Sequence, residues 1–435
     1  MNKTLHLTNA YHASSGGIRT FYHALLQAAE RRRRPVRLVV PADRSRVEDV
    51  NPWARIYHVR APRARFVDQR YRLILPHRFL FGRRGPIWRI LHEERPDLIE
   101  VCDKYSLVYL GGLVRRRWLA GRQRPAVTAL TCERMDDNVR TFLSSGPAAA
   151  HFVRWYMRHV YMPQFDGHVA VSRYTAGELA ADLRPVTIAP MGLDMAAFSR
   201  TPRSPDGRAA AFGPAGRDPR AVLLLYVGRL SEEKNLPLLL NLLESLSDAT
   251  DQIFHLMLAG DGPLRNWLEA EGRRRTPGRL HLLGHLGDRK TLARCYAHAD
   301  LLIHPNTREP FGLVPLEAMA SGLPVVLPRA GGVLDYANET NSWLYAPSAA
   351  GLSATVQQAM NDSQARAARA SLATATAAAL DWAAVTDRYF DIYDRIIATS
   401  DPMRPVTPLG WRRQALASLL AQWRRWSRLQ QSSRR

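Results

Sequence analysis

Short apolar runs alternate with helix-length stretches along almost the whole chain, and this alternation constrains the fold more than any other feature. In the first half the runs are Leu5–Leu7, Arg37–Val40, Leu98–Val101, Val127–Thr131, His168–Val171 and Val186–Ala189. Helical patterns lie between them, such as Ile18–Glu30 and Tyr105–Leu119. After residue 220 the pattern restarts, with runs at Val222–Val227, Phe254–Leu258, Leu280–Leu283, Leu301–Ile303 and Val325–Leu327. Strands this apolar are buried on both faces, and strands separated by helices pair in parallel. The expected fold class is therefore α/β, with two doubly wound, Rossmann-like domains facing across a cleft. The stretch TPRSPDGRAAAFGPAGRDPR, residues 201–220, is rich in Pro, Gly, Ala and Arg without periodicity. It reads as a linker. That places an N-terminal domain at 1–200 and a C-terminal domain at 221–380.

The totals agree. A chain of 435 residues is long enough for two cores, and 46% apolar with 23% charged residues suits a globular protein. Three scattered cysteines, Cys102, Cys132 and Cys295, are too few for a disulfide framework or a zinc site. A reducing, cytosolic compartment is expected. The N-terminus reads as a first strand rather than a signal peptide, and no apolar run reaches the roughly 18 residues of a membrane span. The net charge of +22 implies an anionic partner or surface. Nucleic acid, anionic lipid and phosphorylated substrates all qualify.

The chemistry concentrates in EPFGLVPLE, Glu309 to Glu317. Pro310 and Gly312 forbid one continuous helix through both glutamates. Glu309 is expected on a loop at the end of a buried strand. Glu317 is expected in the first turn of a helix entered at Pro315 and stopped near Gly322. Ligands of open parallel sheets bind at the carboxyl ends of strands, where helix N-termini offer unpaired N–H groups. The N–H groups of Phe311, Gly312 and Leu313 would then face a ligand, with a carboxylate on either side to accept hydroxyl protons. That pattern suits a polyol or a nucleotide sugar.

Other strand ends carry related signals. In LYVGRLSEEKN, the strand ends at Gly228, and Arg229 and Lys234 stand where two cations beside a helix start suit a diphosphate. In so basic a chain both are equally readable as surface residues. In LAGDGPL, Gly260 leaves room for a ligand, while Asp261 is readable as the cap of a helix starting near Pro263. In LLGHLGD, a base can lie against the loop near His285, a residue type that is more often structural. In HASSGGIRTF, Gly16 and Gly17 open the first helix and let a backbone approach an anion. A tight turn explains them as well, and neither the dinucleotide fingerprint nor the P-loop is present. Ser172 reads as a helix N-cap, and Gly192 and Asp194 as a turn.

Taken in order, Gly-Gly after the first strand, VAVSRYT, APMGLD, VGRLSEEKN, AGDGPL, LGHL and EPFGLVPLEAMASGLPVV resemble glycosyltransferase family 4. These are retaining enzymes of the GT-B fold. The resemblance runs from about Leu5 to Ile397, and its most specific part is the E-x7-E signature at Glu309 and Glu317. Residues 381–400 resemble the closing helices that cross back to the first domain. The resemblance implies that Glu317 accepts both ribose hydroxyls of the donor. It implies that Glu309 lies by the transferred sugar, with Phe311, Gly312 and Leu313 binding hydroxyls and phosphate. Arg229 and Lys234 would neutralise the departing diphosphate, and Gly17 would approach it from the other domain. No cofactor and no metal are expected; the nucleotide sugar, of UDP or GDP, is the co-substrate. Many relatives have a histidine after the strand Val127–Thr131, where this chain has Cys132 and Glu133. Either Glu133 supplies the polar contact to the sugar or the sugar is held differently.

The first domain is then the acceptor side, and it is basic. Residues 59–89 interleave arginines with Tyr71, Phe79, Phe81 and Trp88, which suits a membrane surface, a nucleic acid or a solvated loop. Residues 411–435 contain no acidic residue. On a helix, Leu416, Leu419, Leu420, Trp423 and Trp426 gather on one side, and Arg413, Arg424 and Arg428 toward another. This tail, 401–435, reads as an interfacial helix on anionic lipid. The expected function is transfer of a hexosyl group from a nucleotide sugar to a lipid-linked or saccharide acceptor in glycolipid or polysaccharide synthesis. The expected location is cytoplasmic, peripheral on the inner face of the membrane. The rival readings are a basic nucleic-acid-binding protein, for which no recognised motif is present, and a phosphorylase or epimerase on the same scaffold.

Overall fold

Two parallel sheets organise the chain. The computed structural model describes residues 1–400 apart from 13–15, 65–67, 77–78, 80–84, 118–123, 143–145, 180–184, 200 and 250–251. Of the sequence expectations, Phe81 and the tail residues Arg413, Trp423, Arg424, Trp426 and Arg428 lie outside the described residues.

The first sheet holds eight strands: β1 (Thr4–Thr8), β2 (Val36–Ala42), β3 (Arg46–Asn51), β4 (Ala54–Arg60), β7 (Leu98–Cys102), β8 (Ala126–Thr131), β9 (Gly167–Ala170) and β10 (Val186–Ile188). The pair β5 (Arg63–Ala64) and β6 (Asp68–Arg72) forms a separate ribbon. The order across the sheet is β10-β9-β8-β7-β1-β2-β4-β3, all parallel except the β3–β4 edge. The second sheet holds β11 (Ala221–Val227), β12 (Ile253–Ala259), β13 (Leu280–Gly284), β14 (Leu301–Ile303), β15 (Val325–Pro328) and β16 (Trp343–Tyr345), in the order β13-β12-β11-β14-β15-β16. Its reversal between β11 and β14 opens a crevice at their carboxyl ends.

The central strands match the apolar runs because helices cover both faces; Leu223, Leu224 and Leu225 are all fully buried. Burying each such side chain stabilises the fold by roughly 1.5–3 kcal/mol. The sequence pattern missed β3, β4 and β16. β3 is a charged edge strand, RVEDVN, and β16 is only three residues long, WLY.

The segment read as a linker carries a helix that its lack of periodicity did not show. Residues Pro205–Arg217 form a helix, kinked at Gly213 and capped by the Ser204 hydroxyl. It buries Phe212, and Arg208 pairs with Asp300 at 3.0 Å, so the segment packs on the second sheet. The interleaved reading of 59–89 is also corrected in part. Phe79 and Trp88 are core residues, 1% and 8% exposed, and the Trp88 indole N–H donates to the Phe79 carbonyl.

The helix Trp382–Thr399 lies against the first domain. Tyr389 packs on Phe21 and donates to the Ala189 carbonyl, and Tyr393 donates to the buried Glu100 carboxylate at 2.6 Å. One apolar cluster runs without a break from Phe21 and Val36 to Leu223 and Phe311, so the two halves share core. Among the described residues no helix is long and apolar enough to cross a membrane.

Candidate active site

The loops at the carboxyl ends of the second sheet are laced to one another. Gly228 N–H donates to Ala259 O, and Gly260 N–H to Gly284 O. A Cβ on Gly260 would lie 1.8 Å from Gly228 O, so this glycine permits loop-on-loop contact. The contact is a local reason for glycine at 260, beside the expected room for a ligand. The reading of Asp261 is corrected: it accepts from Gly262 N–H, and the following helix starts at Arg265 without a side-chain cap. Arg229 is half-buried, and its guanidinium has no hydrogen-bond or ion-pair partner among the described residues. His285 is exposed on the loop after β13.

Lys234 closes a short turn, Glu232–Lys234, and reaches Glu309 across 75 positions of sequence, Nζ to Oε2 at 2.8 Å. Asn306 donates to the same Oε2 at 2.8 Å, and His304 Nε2 lies 3.5 Å from it. Burial works against ionisation of Glu309, but the Lys234 ammonium and His304 outweigh it and hold the carboxyl well below the usual range. Asn306 also accepts from Arg308 N–H, which shapes the turn that aims Glu309. No sequence signal marks His304 and Asn306 as partners of Glu309 beyond their position at a strand end.

The chain then turns through Gly312, at φ +90°, into the helix Leu313–Ala320. A Cβ there would meet Val333 Cγ1 at 2.8 Å and Tyr336 Oη at 2.9 Å. Tyr336 donates to the Gly312 carbonyl at 2.5 Å, which holds the turn from behind. The N–H groups of Phe311, Gly312 and Leu313 donate to no protein acceptor among the described residues. The Phe311 ring itself is core, packed against Tyr336. Glu317 sits in the second turn of this helix, a correction to the first-turn expectation that follows from the helix starting two residues before Pro315. Its Oε2 accepts from Tyr296 at 2.9 Å. Poor solvation outweighs that bond and the more distant Arg289 charge, and the carboxyl is pushed up to about 7. The two glutamates are therefore tuned in opposite directions.

The first domain supplies the facing wall. Gly17, the first residue of the helix Gly17–Arg31, abuts Leu313: a Cβ on it would lie 3.0 Å from Leu313 Cδ1. Gly16 has open space at its Cβ position. Ser172 caps a four-residue helix as expected, and its hydroxyl also donates to the Pro310 carbonyl at 2.5 Å. Arg173 donates through backbone N–H and guanidinium to Asp335, and Arg308 lies 3.9 Å from Asp137. These cross-domain contacts were not legible in the sequence.

Glu133 is half-buried after β8, and burial raises its carboxyl against the pull of Lys104. The Cys132 thiol is raised by its contact with Cys102, 3.9 Å away, and by burial, which keeps it a thiol rather than a nucleophilic thiolate. Among the described residues no cluster of three or more His, Cys, Asp or Glu is placed to hold a metal ion. The wall of the second domain thus combines cations, unpaired N–H groups and two differently charged carboxyls, which can bind a diphosphate and accept from hydroxyls.

Residues 15–197 match the family model described as Glycosyltransferase Family 4, and residues 208–375 match Glycosyl transferases group 1. The chain is 28% identical over 335 residues to a GDP-mannose-dependent alpha-(1-6)-phosphatidylinositol dimannoside mannosyltransferase of Mycobacterium tuberculosis, covering 77% of this chain and 81% of that protein. Sucrose-phosphate synthase from Thermosynechococcus elongatus superposes with a TM-score of 0.70 at 19% identity, covering 92% of this chain and all of that one. The Anabaena protein HepE, solved with UDP and glucose, superposes with a TM-score of 0.63 at 17% identity, covering 91% of this chain and 100% of that one. These solved neighbours share the two-domain GT-B fold.

Proposed function

Because this chain belongs to glycosyltransferase family 4 and has the GT-B fold, we propose a specific division of labour for it as a retaining hexosyltransferase. The carrying observation is the row of unpaired N–H groups at Phe311–Leu313, flanked by Glu309 with Lys234 on one side and Glu317 on the other. Arg229 and Lys234 take the donor diphosphate. Glu317 takes the ribose hydroxyls, Glu309 and the N–H groups the transferred hexose, and Gly16 and Gly17 admit the phosphates from the opposite wall. Departure of a nucleoside diphosphate places negative charge on phosphate oxygens, and fixed cations and N–H groups stabilise that charge most where it develops. Glu133 supplies a polar contact to the sugar. Gly228, Gly260 and His285 shape the loops against which the base lies.

We assign residues 1–200 to the acceptor side and 221–380 to the donor side, with the helices of 381–400 returning to the first domain. The mycobacterial relative is by its name GDP-mannose-dependent and acts on a phosphatidylinositol mannoside. A GDP- or UDP-linked hexose is accordingly the proposed donor, and a lipid-linked or saccharide hydroxyl the acceptor. The tail supports a peripheral place on an anionic, cytoplasmic membrane face: Arg413, Trp423, Arg424, Trp426 and Arg428 fall within a segment free of acidic residues. No nucleic-acid partner is proposed.

The test is a donor screen. The protein is titrated with UDP, GDP, ADP and their hexose conjugates while thermal stability is followed. A ligand at 100 times its dissociation constant adds about 2.7 kcal/mol. One nucleotide standing out supports the reading, and a flat response to all of them overturns it. Sedimentation with anionic vesicles, with and without residues 411–435, tests the tail separately.

A further inference from the structure

The two oxygens of the Glu309 carboxylate live in different surroundings. Lys234 Nζ and Asn306 Nδ2 each donate to Oε2 at 2.8 Å, and His304 Nε2 stands 3.5 Å from the same atom. Oε1 has no hydrogen-bond or ion-pair partner among the described residues. Nor is it sealed in: the buried polar atoms without a partner include His304 Nε2 but not this oxygen. A carboxylate held at both oxygens has few lone pairs left for a ligand. This one is held through Oε2, which sets the direction of Oε1 and leaves it open.

The groups around Oε2 are themselves fixed. His304 and Asn306 are 4% and 5% exposed. His304 directly follows β14; its N–H donates to Val326 O on β15, and its carbonyl accepts from Tyr345 Oη on β16 at 3.2 Å. Asn306 Oδ1 accepts from Arg308 N–H at 3.0 Å while Nδ2 donates to Glu309, so opposite demands at its two ends fix the orientation of the amide. The Glu309 backbone is clamped too, its carbonyl accepting from Gly332 N–H at 2.7 Å. A buried imidazole nitrogen with no hydrogen bond calls for an explanation. The ion pair that His304 Nε2 enters, with Glu309, supplies one.

We propose that His304 and Asn306 are positioning residues for donor selection: with Lys234 they saturate Oε2 of Glu309, so that Oε1 is the single acceptor turned toward the hexose. They act through Glu309 rather than by contact with the sugar. The inference rests on the reading above that Glu309 meets the transferred hexose, and deepens it by naming what that contact selects. A hydroxyl carries one proton and two lone pairs. It can donate to Oε1 and accept from an N–H group of Phe311–Leu313 together, which a deoxy or O-methyl position cannot do.

The probes are GDP with GDP-mannose and UDP with UDP-glucose, titrated by calorimetry into the full-length protein. The ratio of sugar-nucleotide to nucleotide affinity isolates the hexose, because both ligands share base, ribose and diphosphate. Asn306→Asp keeps the acceptor for Arg308 N–H and removes the donor to Oε2. It should lower the ratio by about tenfold, the loss of one hydrogen bond to a charged group. Glu309→Gln turns its carbonyl to the donors and its amide to the sugar, and should lower the ratio by about tenfold as well. His304→Phe keeps a ring without the N–H and should lower it by about threefold, while His304→Gln restores a donor and should stay within about twofold of wild type.

A loss in Glu309→Gln with wild-type ratios in Asn306→Asp and His304→Phe overturns the proposal and leaves Glu309 beside the hexose. A wild-type ratio in Glu309→Gln removes Glu309 from the hexose and the proposal with it. Equal losses in His304→Phe and His304→Gln show that His304 acts by packing, which overturns its part; this pair decides the matter if Asn306→Asp does not fold. A wild type that binds none of the four ligands sinks the donor reading itself, and this inference with it.

Discussion

Lys234 Nζ lies 2.8 Å from Glu309 Oε2, and the bond joins two loops of the second domain into one charged wall. The pair is mostly buried, with side chains 23% and 15% exposed, and the Lys234 ammonium helps hold Glu309 ionised. Removing Lys234 leaves Glu309 less stably ionised and, on the role proposed for it, takes away a cation for the diphosphate.

Lys234→Ala and Glu309→Gln should each lower kcat by about 10²–10³, the range for losing one preorganised charge-stabilising group. Because the two act as a unit, the double variant should lose much less than the product of the singles. Steady-state kinetics on the three variants checks this; multiplicative losses would show that the residues act independently.

The role proposed for Glu317 predicts a pH-dependent donor affinity. Its carboxyl sits at about 7 when only Tyr296 donates to it, and ribose hydroxyls donate best to the ionised form. Nucleotide binding should therefore release a proton below about pH 7 and tighten as pH rises through 7. Calorimetry in two buffers of different ionisation enthalpy reads the proton, and Glu317→Gln should remove both the release and the pH slope.

The same group acts on stability with the opposite sense from a salt-bridged carboxylate. Its folded-state value lies above its unfolded one, so the native state holds the proton more tightly. Its contribution is favourable at low pH and is lost as pH rises from the unfolded value near 4.5 to about 7. Denaturation of wild type and Glu317→Gln across that window should show the wild type losing ground as pH rises.

The buried Lys104–Glu178 pair gives a prediction about packing. Lys104→Met leaves Glu178 buried without its cation and should cost about 3–5 kcal/mol. Lys104→Met with Glu178→Leu should recover most of that, as apolar replacement of a buried pair often does. Chemical denaturation of both variants checks it.

The Ser172–Pro310 contact ties the first domain to the loop bearing Glu309, and Arg173–Asp335 ties it to the neighbouring turn Gly332–Asp335. Asp335→Ala removes an ion pair between an exposed guanidinium and a mostly buried carboxylate, together with the bond from Arg173 N–H, and should cost about 1–2 kcal/mol in stability. If the cleft works by closing, kcat and KM should nevertheless change together. An unchanged kcat with an unchanged KM would show that this contact does not govern closure.

The central strands were legible because they are buried on both faces and so read as unbroken apolar runs. β3 was not, because an edge strand with no buried residue reads RVEDVN like a loop. The helix Pro205–Arg217 was hidden for a related reason: its kink and its Gly and Ala content erase the helical period, while a few buried residues and the Arg208–Asp300 pair hold it. Gly312 was legible as a break, and the structure shows why glycine stands there, with φ +90° and Val333 and Tyr336 against the missing Cβ. Glu309 and Glu317 were legible as a pair, yet nothing in their spacing distinguishes a strongly ionised carboxylate from one near neutral pH.

By itself the sequence determined the strand-helix alternation, the breaks at Pro310 and Gly312, and the carboxylates around them, because these follow from periodicity and local backbone limits. The tertiary structure alone decided what stands opposite each group. Lys234 meets Glu309 across 75 residues, and Ser172 meets Pro310 across 138. Charge state depends on partners and solvent exclusion assembled within the second domain, and cleft geometry on the two sheets facing each other, and neither is written in local sequence.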